Sequence, residues 1–74
     1  MFSITIIRLH NVTKVFENTE LHSILLLGDI ERELAKRNAD FEQVEKVLNL
    51  QKGDRTTIHI EKEDKLWFCY ITKF

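Results

Sequence analysis

Thr19-Glu-Leu-His-Ser-Ile-Leu-Leu-Leu-Gly-Asp-Ile-Glu-Arg-Glu-Leu-Ala-Lys-Arg37 is the stretch that decides how many strands the chain contains. Leu21, Ile24, Leu27, Ile30 and Leu34 recur every three or four residues, and Leu25 and Ala35 widen the stripe. That period is helical, so the spacing predicts one helix from about Thr19 to Arg37. Glu33 and Arg37 then form an i,i+4 pair on its outer face, in the favourable order. Gly28 is the weak point, because glycine costs roughly 1 kcal/mol against alanine inside a helix. A competing reading makes Leu21–Leu27 a buried strand and starts the helix at Asp29. The single helix is the reading adopted, and it implies a close approach by another group at Gly28.

On the N-terminal side, Phe2, Ile4 and Ile6 alternate with Ser3 and Thr5, which predicts a strand over residues 2–9. Ile7 and Leu9 break that alternation and put apolar groups on the opposite face. Residues 10–18 read as a polar connection carrying Val12, Val15 and Phe16. On the C-terminal side, Asp40 followed by Gln43 forms a capping-box pattern ahead of a second helix, Phe41 to about Leu50. Phe41, Val44, Val47 and Leu48 are assigned to the inner face of that helix. Gly53 ends it in a turn. Thr56, Ile58 and Ile60 then alternate with Thr57, His59 and Glu61, Lys62-Glu63-Asp64-Lys65 is a turn, and Leu66–Phe74 is an aromatic strand. The expected architecture is α+β: β-α-α-β-β, a three-stranded, mainly antiparallel sheet with two helices on one face, in a single compact domain over residues 1–74.

Composition narrows the class of function. The chain has 74 residues, 43% hydrophobic and 31% charged, with net charge −1, two glycines, no proline and one cysteine. It is too apolar for its charge to be disordered and too short for a deep cleft beside a full core. Lone Cys69 excludes an internal disulfide, the opening residues lack a basic leader before a long apolar run, and the longest apolar run is Ile24–Leu27. A cytoplasmic protein, a host cytoplasm included, with no membrane partner is expected. The Asn11-Val12-Thr13 sequon is assigned to chance without a secretory signal.

His10, His22, His59 and Cys69 match no short-spaced zinc pattern, so no metal and no cofactor are expected. Cys69 sits between Phe68 and Tyr70 in an apolar strand, where desolvation disfavours the thiolate. Lys52-Gly53-Asp54-Arg55 reads as a turn, and no glycine loop for phosphate exists. No catalytic residue is assigned.

The strongest functional signal is that Leu66–Phe74 is apolar on both parities: Leu66, Phe68, Tyr70 and Phe74 against Trp67, Cys69 and Ile71. Two helices cover one face of a small sheet and leave the other as a large apolar patch. Partner binding is therefore assigned to Trp67, Tyr70, Cys69 and Ile71, with acidic Glu42 and Glu45 on the second helix as a further contact. The expectation is a non-enzymatic interaction protein that also forms a homodimer. It would bind and inhibit or regulate a larger macromolecular target, as small proteins of phages and mobile elements act on host defence systems. The alternative is a nucleic-acid-binding regulator using the sheet face or the Gly53 turn. A pI near 6.3 disfavours that alternative.

Overall fold

A computed structural model of the chain describes residues 1–10 and 17–74. The elements, in chain order, are β1 (Phe2–His10), β2 (Glu17–Leu25), α1 (Leu27–Lys36), α2 (Phe41–Leu48), β3 (Arg55–Lys62) and β4 (Lys65–Lys73). The fold is α+β with two helices and an antiparallel sheet, as the sequence implies, but the sheet has four strands in the order β2-β1-β4-β3. Val12, Val15 and Phe16 of the polar connection read in the sequence lie outside the described residues.

The extra strand comes from the first half of the stretch read as one helix. Residues 17–25 pair antiparallel with β1, placing Leu21, Ser23 and Leu25 opposite Ile6, Ile4 and Phe2. Leu21 and Leu25 pack against the core while Ile24 stays exposed, which is a strand's alternation rather than a helix's stripe. Polar Ser23 on the covered face and apolar Ile24 on the open one hide that alternation in the sequence, and one irregularity precedes it. Ile6 faces Leu21 but Ile7 faces Thr19, so Glu20 is the extra residue of a β-bulge. The second half of the stretch is helical as expected: Ile30 and Leu34 are buried and Leu27 packs beside them. Gly28 lies in the first turn of α1, and a Cβ built there meets nothing within 4 Å. The close approach inferred at Gly28 is absent.

α2 begins at the anticipated capping box. Asp40 accepts from the Gln43 backbone N–H at 2.9 Å, and the Asp40 N–H donates to Gln43 Oε1 at 2.9 Å. Its inner face is narrower than expected. Val47 is buried and Val44 partly so, whereas Phe41 and Leu48 are exposed. Gly53, at φ 93°, makes the turn into β3 and donates to the Lys73 carbonyl at 2.7 Å. That left-handed backbone suits glycine.

Both helices cover the same face of the sheet. Phe2, Ile4 and Ile6 of β1, Ile58 and Ile60 of β3, and Trp67, Cys69 and Ile71 of β4 form the core with Ile30, Leu34, Val47 and Leu50. Each fully buried isoleucine is worth about 1.5–3 kcal/mol relative to an exposed one.

Candidate functional site

Strand parity assigns every side chain of the sheet to the covered or the open face, and this sorts the residues singled out in the sequence. Trp67, Cys69 and Ile71 are 6%, 0% and 1% exposed on the covered face. They are core residues and present nothing to a partner. Tyr70, on the other parity, is 45% exposed. Glu42 and Glu45 are exposed on α2, on the helical side of the sheet and away from Tyr70. The six residues therefore divide among the core, the open face and the helical layer.

The open face is laid out by the pairing register. In the two central strands Leu9 faces Leu66, Ile7 faces Phe68, Thr5 faces Tyr70 and Ser3 faces Thr72. On the β3 side the same rows continue into Glu61, His59, Thr57 and Arg55. Ile7, Leu9, Leu66 and Phe68 thus form an apolar quarter at one end, all half-buried. The His59 ring meets Phe68 edge-on, with centroids 4.6 Å apart at 90°. Toward the other end the face turns to hydroxyls, and Thr5 Oγ1 and His22 Nδ1 share a hydrogen bond of 2.8 Å. Arg55 and Glu61 stand at opposite ends of β3, so this face has no single-sign field.

His59 and Cys69 could have shared a face had the hairpin register allowed it. His59 pairs with Phe68 and Cys69 with Ile58, which sends them to opposite faces and removes the start of a metal site. Among the described residues, no group of His, Cys, Asp and Glu comes together as metal ligands do. Burial pushes the Cys69 thiol up to about 11, with Glu20 adding to that and Arg37 opposing it.

Nothing in the reading of the sequence singles out Glu20, yet its carboxylate meets Arg37, Trp67 and Arg8. The bulge directs its carboxylate to the covered side. There Oε1 accepts from Trp67 Nε1 at 2.9 Å and from Arg37 Nη2 at 3.0 Å and Nε at 3.2 Å. Arg8 closes the group with its Nε 3.4 Å from Glu20 Oε2. Arg37 also donates to the Glu33 carboxylate at 3.0 Å and to the Glu33 carbonyl at 2.8 Å. That guanidinium holds the Glu33 carboxyl below its ordinary value despite partial desolvation, helped by Lys36. With two cations on one shared carboxylate, the cluster ties β1, β2, α1 and β4 together. Its members are occupied with one another, so its chemistry is structural.

Compared with protein-family models, curated proteins and solved structures, the chain matches none. No helix among the described residues is long and apolar enough to cross a membrane.

Proposed function

We propose that this chain is a binding protein, without catalysis of its own, that inhibits or regulates a larger protein through the open face of its sheet. One observation carries this reading. Both central strands turn apolar or aromatic side chains away from the helices, and no described element packs over them. Phe68 and Tyr70 are the anchors of that surface. Large rings desolvated at an interface contribute about 2 kcal/mol or more apiece, whereas exposed carboxylates such as Glu42 and Glu45 mainly steer association. The balanced charge of the face favours protein over nucleic acid, whose binding needs a basic field.

The test is affinity capture from the source cell with three baits matched in melting temperature: the native chain, Phe68→Ser with Tyr70→Ser, and Glu42→Lys with Glu45→Lys. The target should be retained by the native and helix-variant baits and reduced at least about tenfold with the face variant. Retention by the face variant and loss with the helix variant would move the working surface to α2. Tight binding of single-stranded oligonucleotide at low salt, falling steeply as salt rises, would replace the reading with the nucleic-acid one.

A further inference from the structure

The two edges of the sheet are built differently. On the β3 edge, Gln43 of α2 reaches across and donates from Nε2 to the His59 carbonyl, occupying a backbone acceptor that another strand would need. Arg55, Glu61 and Lys62 add exposed charge to the same edge. Capping and charging are the usual means by which an edge strand is kept from pairing. The β2 edge has neither device over its second half. Leu21-His-Ser-Ile-Leu25 contains no Asp, Glu, Lys or Arg, and among the described residues β1 is its only strand neighbour. Among the described residues, no side chain bonds to its backbone. Ile24 and the adjoining Leu26 are 57% and 61% exposed.

We propose that this edge pairs antiparallel with the same edge of a second copy of the chain, about a two-fold axis at Ser23, joining two four-stranded sheets into one. The sequence of the edge is what selects a second copy. In the register centred on Ser23, Leu21 meets Leu25 of the other chain on the covered face, where both are only half-buried in one chain alone. Ser23, on the covered face opposite Ile4, meets itself on the axis, and on the open face His22 meets Ile24. Every position thereby finds an uncharged counterpart, and each pair off the axis occurs twice, as a two-fold interface requires. A register centred on Glu20 loses this match, because it sets the Glu20 residues of the two chains opposite each other. In the Ser23 register Glu20 falls beside Leu26, with its carboxylate already held by Arg37, Trp67 and Arg8. The open face keeps Phe68 and Tyr70 free, so this inference and the proposed target surface stand or fall separately.

Sedimentation equilibrium of the full chain and cysteine pairing test the proposal together. The native chain should sediment as a dimer at micromolar concentration, and Ile24→Lys should weaken the dimer at least about tenfold without lowering the melting temperature. Directly opposed residues lie about 4.5–5.5 Å apart at Cα, within disulfide range, whereas diagonal neighbours two positions away lie about 7–8 Å apart, beyond it. Under mild oxidation, a mixture of His22→Cys and Ile24→Cys chains should therefore cross-link to each other in preference to either alone. Buried Cys69 stays out of the reaction. A native chain that is monomeric at high micromolar concentration overturns the proposal. So does a dimer that survives Ile24→Lys but is lost in Phe68→Ser with Tyr70→Ser, which would put the contact on the open face.

Discussion

At the scale of single residues, Trp67 shows how a side chain suited to an interface can be committed to the interior. Its ring closes one end of the core, and its indole N–H is satisfied by a carboxylate that belongs to the cluster around the bulge. Trp67→Phe keeps most of the packing and removes a hydrogen bond to a charged acceptor, so it should cost about 1.5–3 kcal/mol in urea unfolding. Trp67→Ala should cost about 3–5 kcal/mol, because it also leaves a cavity. A Trp67→Phe loss of no more than a few tenths of a kcal/mol would mean that the hydrogen bond contributes little. Glu33 offers a pH-dependent counterpart. Its carboxyl is held below the ordinary 4.5 chiefly by the hydrogen bond from Arg37. A group depressed in the folded state contributes stability that is present above its unfolded value and is lost as pH falls through the folded one. Glu33→Gln should therefore melt lower than the native chain at pH 7, with the gap closing below about pH 4.5 as the native carboxylate takes up its proton. A gap that stays constant down to pH 3 would show that the ion pair is energetically silent.

At the scale of elements, helix α2 is the part that local chemistry specifies most directly. Asp40→Ala removes the side-chain acceptor of the capping box and should lower stability by about 1 kcal/mol, measured by urea unfolding. Gln43→Ala should cost more than its share of the box alone, because the same amide also bonds the His59 carbonyl. If Gln43→Ala costs no more than a few tenths of a kcal/mol, that link to the β3 edge is ornamental. The capping box and the β3–β4 hairpin were legible in the sequence because each depends on neighbours a few residues apart. β2 was not. Its leucines and isoleucine satisfy a helical period, and Ser23 on the covered face with Ile24 on the open one removes the strict alternation that would have marked a strand. Helix α1 then follows directly from the strand through Leu26, with no side-chain cap to mark the boundary. The open face was legible as a two-sided β4, but which parity faced out depended on pairing with β1, whose partners such as His10 for Lys65 lie far away in the chain and beyond any local signal. Of the β4 residues singled out for a partner, Tyr70 lies on the open face and Trp67, Cys69 and Ile71 on the covered one, a division that the composition of the strand leaves open.

At the scale of the whole molecule, the sheet separates two kinds of surface. The helical side exposes Phe41 and Leu48 among the carboxylates of α2, while the open side gathers its rings on the central strands. Surfaces on opposite sides of one sheet can be altered independently, since sites without shared neighbours combine additively within about 0.5 kcal/mol. The Phe68/Tyr70 and Glu42/Glu45 double variants should accordingly leave each other's melting shifts unchanged when combined, and a non-additive shift would reveal coupling through the core. The Gln43 amide on the His59 carbonyl reaches furthest in its consequences. Growth of a sheet from chain to chain needs a receptive border on each side, one to accept the last arrival and one to offer to the next. Here one border already has an acceptor taken by the protein's own helix and carries exposed charge. Strand joining is disfavoured there, so the pairing proposed at β2 would close once two copies have met rather than start a fibre.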